Sequence, residues 1–146
     1  MRRMSLVLAA MALPVAILGL SSSGPVWAKA KAEKSITCKS FQGTETGTVT
    51  LSSCNGNTGG SSQPLSATAL ATGGTLKWTN GKTTTVGSPN IVTVTNKKCS
   101  AAGESADTVT IPVTADTTGL TSLGSLTTEV CIANGNISGL KPVKIT

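Results

Sequence analysis

Few groups in this chain could act on a substrate: six carboxylates, four cysteines, ten lysines and many serines and threonines, with no histidine and no tyrosine. A hydroxyl becomes a nucleophile only beside a group that takes its proton, most often histidine. A lysine serves only where burial lowers its pKa. Lys77 stands beside Trp78, but it alternates with Leu76 and Trp78 and is expected on the opposite, solvated face. Glycoside hydrolysis needs two carboxylates flanking the scissile bond. Of Glu33, Glu45, Glu104, Asp107, Asp116 and Glu129, only Glu104 and Asp107 are close in sequence, in a segment read as a loop with no aromatic ring nearby to seat a sugar. No catalytic residue is assigned, and the chain is expected not to be an enzyme.

Metal chemistry is equally thinly supplied. Cys38, Cys54, Cys99 and Cys131 lack the close spacing of a zinc knuckle, and no Cys-x-x-Cys motif suggests redox work. Asn55-Gly56-Asn57 and the stretch from Ala101 to Ser105 offer oxygens, without the acidic density of a calcium loop. No metal or cofactor is expected. An even cysteine count in an exported chain reads as a disulfide framework, for which four cysteines permit three pairings. The expected pairs are Cys38 with Cys54 and Cys99 with Cys131, a short and a longer loop, each contributing about 2–4 kcal/mol.

Export is read from the first residues. Arg2 and Arg3 precede an apolar run, Leu6 to Leu20, and a small-residue stretch, SSSGPVWA. That is the pattern of a signal peptide over residues 1–28, cleaved after Ala28, and the run is shorter than the ~20 residues of a spanning helix. Nothing after it has stop-transfer character, and no cysteine sits at the cleavage region to carry lipid. The expected product is secreted or envelope-associated, exported by the general secretory route, without a membrane span. Residues 29–34 (KAKAEK) form a charged tail expected to be mobile, and residues 35–146 a single disulfide-stapled domain.

The formal net charge of +6 includes both arginines, which leave with the signal peptide, so the exported part is only mildly basic. Nucleic-acid binding would call for arginine forks or stacking aromatics, and only Phe41 and Trp78 remain. The expected partner is an unidentified component of the envelope or the exterior, with oligomeric state left open.

The elements that must position these groups are strands. Val49 and Leu51, Val92 and Val94, Val109, Ile111 and Val113, and Leu126, Thr128, Val130 and Ile132 each alternate with polar residues, as does Leu76 with Trp78, and Val143 and Ile145 add a last pair. Pro112 lacks a donor and predicts a sheet edge or a bulge. Asn80-Gly81 and Asn134-Gly135 predict two-residue hairpin turns. No sustained 3.6-residue stripe follows the signal peptide. Recurrent Thr-x-Thr pairs at 48/50, 83/85, 93/95 and 108/110 suit a solvated sheet face, and their unequal spacing excludes a solenoid. The fold class expected is all-β, an antiparallel β-sandwich of immunoglobulin-like or Greek-key type with about eight strands and two disulfides; the alternative is a small β-barrel.

The segments ITCKSFQGTETGTVTLSSC, GGTLKWTNGKTTTV, KKC and EVC together resemble small secreted β-rich proteins of uncharacterised function from actinobacteria. That resemblance implies structure and assigns no role. A weaker similarity is to the secreted apoproteins that hold enediyne chromophores, from which this chain differs in cysteine spacing and in being basic. The function expected is that of an exported, non-enzymatic β-sandwich that binds or builds at the envelope or outside it. The alternative is a carrier holding a small apolar ligand between its sheets, in a cavity beside Trp78 and Leu76.

Overall fold

The alternating segments form antiparallel strands in the computed structural model, which describes residues 35–120 and 123–146; the expected signal peptide and charged tail lie outside them. In chain order the elements are β1 (Ile36–Thr44), β2 (Thr48–Cys54), β3 (Leu65–Ser66), α1 (Ala67–Thr72), β4 (Gly74–Lys77) and β5 (Thr83–Val86). There follow β6 (Asn90–Val94), β7 (Glu104–Asp116), β8 (Ser125–Ala133), β9 (Asn136–Gly139) and β10 (Val143–Ile145). The fold is all-β and antiparallel, ordered β3-β2-β1-β10-β8-β7-β5-β4, with β6 on β7 and β9 between β1 and β8. Among the described residues there are ten strands where about eight were expected, the surplus including β3 and β9, of two and four residues, too short to show alternation.

The long strands change partners along their length, which folds the sheet into two facing layers, sandwich-like. β1 pairs with β10 through Ile36–Cys38 and with β9 through Gln42–Thr44. β7 runs the length of β8 and pairs on its other side first with β6 and then with β5. Between Ser61 and Gln63 the chain also links β2 to the end of β4, where Ser62 N–H donates to Leu51 O at 2.9 Å and Gln63 N–H to Lys77 O at 2.7 Å. Hydrogen bonding therefore returns to its start, the closure a barrel uses to remove sheet edges.

Pro112 sits where β7 passes from β6 to β5. The next amide, Val113 N–H, bonds toward β8 at Gly124 O (3.0 Å), so the nitrogen of residue 112 faces the gap between β6 and β5 and no ladder bond is lost. A register shift at Thr85/Val86 accompanies it, the bulge anticipated from sequence. Asn134 and Gly135 have φ of 51° and 76°, as a two-residue type I′ turn requires. The other hairpin differs. Only Gly81 is left-handed there (φ 83°), Gly81 N–H donates to Trp78 O at 2.9 Å, and Trp78 N–H donates to Lys82 O at 2.8 Å. That is a three-residue loop with a bulge glycine.

One element was not expected. The helix α1 has six residues and buries only Leu70, too little sequence to display a helical stripe. Gly73, at φ 94°, ends it.

One core lies between the layers, drawn from Ile36, Phe41, Leu51, Leu76, Trp78, Ile111, Leu126 and Ile145 among others, with Trp78 fully buried as its largest side chain. A smaller cluster of Cys99, Ala106 and Cys131 lies on the outer face of β7 and β8. The disulfides are Cys38–Cys54, across directly paired positions of β1 and β2, and Cys99–Cys131, which fastens the β6–β7 connection over β8.

Candidate functional site: an apolar groove with a buried carboxylate

Residues of one parity on β7 face inward: Ser105, Asp107, Val109 and Ile111. Cross-strand pairing sets Ile91 beside Val109, Thr93 beside Asp107, and Val130 on the other side of Asp107. Ile132 pairs with Ile137 of β9, extending the same apolar wall. Phe41 of β1, Val49 of β2 and the α1 residues Ala67, Leu70 and Ala71 complete the lining. The alanines project too little to meet the facing strand, and an open groove of about 230 Å³ remains. Among the described residues the charged ones in the lining are Glu45 and Asp107.

Asp107 is 6% exposed. Its Oδ1 accepts from Thr93 Oγ1 at 2.8 Å and its Oδ2 from Ser105 Oγ at 3.3 Å. Glu104, three residues earlier, is not in a loop as expected but begins β7. An odd separation on a strand puts the two acids on opposite faces, and Glu104 Oε2 is engaged by the Ala101 amide at 3.1 Å. The geometry keeps apart the one carboxylate pair the sequence offered.

Trp78 and Leu76, beside which a ligand cavity was expected, lie away from this groove. Both are sealed in the core, 0% and 2% exposed, and neither lines the groove. Trp78 Nε1 donates to Thr84 Oγ1 at 2.9 Å, and Thr84 Oγ1 donates to Asp116 Oδ1 at 2.6 Å. Burial by itself would raise the Asp116 pKa, but hydrogen bonds from the Thr84 and Thr118 hydroxyls and from the Leu120 and Gly119 amides outweigh it and hold the carboxyl below its ordinary 3.8. This network anchors the end of β7 and is structural.

On the outer face Glu129 pairs with Lys141 and accepts from Asn96 Nδ2. The Lys141 contact first, then Asn96, hold its carboxyl below the usual 4.5 against the opposing effect of burial. Atoms of Cys99, Glu104 and Cys131 lie within 4.8 Å of one another, but both sulfurs are spent in the disulfide and no thiolate is left to bind a metal. The oxygens of the Asn55–Asn57 loop are also occupied: Asn55 Oδ1 accepts from Thr37 N–H at 2.6 Å, and Asn57 O accepts from Asn80 Nδ2 at 2.7 Å.

No family model, curated protein or solved structure matches this chain. The groove must therefore speak through its own chemistry. Sequence reading placed Val49, Val109, Ile111, Val130 and Ile132 of the lining on strand faces; on β6 it read Val92 and Val94 as the apolar row where Ile91 lines the groove, and it took Asp107 for a loop acid. The available signal was its phase: an acid in the row that continues through Val109, Ile111 and Val113.

Proposed function

We propose that this chain is an exported, non-enzymatic binding protein of the cell envelope or its exterior, whose ligand is a small, mainly apolar molecule held between β7–β8 and α1. The observation that carries this reading is the groove itself: apolar walls open to solvent beside a core whose large side chains are closely packed. Its volume of about 230 Å³ is below the ~300–1,000 Å³ of drug-sized sites, which favours a short apolar body. Export is supported by the N-terminal signal pattern and by two disulfides, which persist in oxidising compartments. Among the described residues no helix is long and apolar enough to cross a membrane. The lack of histidine and the opposed faces of Glu104 and Asp107 support a role without catalysis.

The test is displacement of a fluorescent apolar probe, 1-aminoanthracene, by 1-octanol, with Ala71→Trp as the variant that fills the groove. Saturable binding lost in that variant is the expected result. Absence of saturable binding by the wild-type protein overturns the reading.

A second reading rests on β6, which among the described residues pairs only with β7 and leaves Ile91 and Val92 57% and 53% exposed. Such an edge accepts a strand from a partner. Co-sedimentation with envelope fractions, abolished by Val92→Lys, would favour it.

A further inference from the structure

The charge of the groove runs against that of the chain. The full sequence carries a formal +6, yet among the described residues both charged ones lining the groove are carboxylates. Glu45 is exposed at the mouth, while Asp107 is 94% covered and faces the apolar interior of the groove. A covered carboxylate is costly unless it is paired or hydrogen-bonded. Among the described residues the ion pair formed is Lys141–Glu129, on the other face of the sheet, and no lysine reaches Asp107. Its partners are two hydroxyls, Thr93 and Ser105, one on each oxygen. A carboxylate offers about four lone-pair sites, so two remain available toward the groove.

We propose, resting on the reading of the groove as a ligand site, that its ligands are amphiphilic amines. The apolar body lies against Phe41, Leu70, Val109 and Ile111, and the ammonium group meets Asp107. Thr93 and Ser105 fix the carboxylate's orientation in advance, and the low-dielectric walls strengthen its attraction for a cation. Glu45 at the entrance adds to the same field. Fatty acids and other anionic amphiphiles of equal size face two like charges, with no lysine among the described residues in the lining to offset them. Neutral chains of that size gain only the apolar contacts.

The experiment compares three probes of one chain length on the intact exported protein: octylammonium, 1-octanol and octanoate, by calorimetric titration near neutral pH. Octylammonium is expected to bind at least tenfold more tightly than 1-octanol, and octanoate more weakly than either. Asp107→Asn is expected to reduce octylammonium binding to the level of 1-octanol, and its denaturation midpoint, followed by Trp78 emission, shows that the variant is folded. A second reading uses no variant: the Asp107 side-chain carboxyl carbon resonance shifts on adding octylammonium and not on adding 1-octanol. If 1-octanol binds and octylammonium binds no more tightly, or Asp107→Asn retains the amine preference, the amine proposal falls and the apolar site stands. If none of the probes binds, both fall.

Discussion

Replacing Thr84 by valine removes a hydroxyl that is fully buried, accepts from Trp78 Nε1 at 2.9 Å and donates to Asp116 at 2.6 Å. The two side chains have nearly the same shape, so no cavity term enters. What is lost is polar. The indole N–H of Trp78, itself 0% exposed, is left without a partner, at a cost of about 1–3 kcal/mol. Asp116 loses its Oδ1 partner but keeps the Thr118 hydroxyl and the amides of Thr118, Gly119 and Leu120 on Oδ2. Only part of a charge-assisted bond is therefore forfeited, and the total comes to about 2–4 kcal/mol. For a domain of this size that corresponds to a fall in Tm of the order of 10–20 °C. The assay is guanidinium denaturation with both disulfides oxidised, followed by Trp78 emission, with a reduced midpoint and an unchanged slope expected. A loss below about 0.5 kcal/mol would refute the reasoning. So would strict additivity with Asp116→Asn, because groups in one network couple.

The acid limb of stability should report Asp116 and Glu129. Both carboxyls are held below their ordinary 3.8 and 4.5 in the folded state, so the unfolded chain takes up their protons first. Their contribution is complete above those values and is lost as pH falls through the lower folded ones. Denaturation midpoints measured from about pH 6 to about pH 2 should fall, and fall less in Asp116→Asn. The disulfides enclose sequence separations of 16 and 32 residues. Loop entropy then assigns about 3 and about 4 kcal/mol to them, so paired alanine substitutions should cost those amounts in chemical denaturation, more for Cys99–Cys131. Val92→Lys, on the exposed edge strand β6, should slow concentration-dependent aggregation measured by light scattering without altering probe binding.

Strand faces were legible because alternation is a local property. Val109, Ile111 and Val113 of β7, and Val49 and Leu51 of β2, fall as their spacing requires. The disulfide pairing was legible for a related reason: Cys38 and Cys54 face each other across one hairpin. Features set at long range were not legible. β8 is buried on both faces, because the Cys99–Cys131 bond draws the β6–β7 connection over Glu129 and Cys131. The polar run before Val109 reads as loop, since its pairing with β8 cannot be seen from the run itself, and Asp107 was set aside with it. Trp78 was rightly taken as the core's large residue. The groove opens elsewhere, where the small residues Ala67 and Ala71 of an unforeseen helix face the apolar wall.

The most direct measurement is the map of backbone amide shifts when octylammonium is titrated into the intact protein. A ligand seated in the groove is expected to give saturable shifts confined to the lining, at Asp107, Val109, Val130, Ile132 and Ile137 and in α1, with Trp78 little moved. Shifts that fail to saturate, or that gather on the outer face around Glu129 and Lys141, would contradict the account.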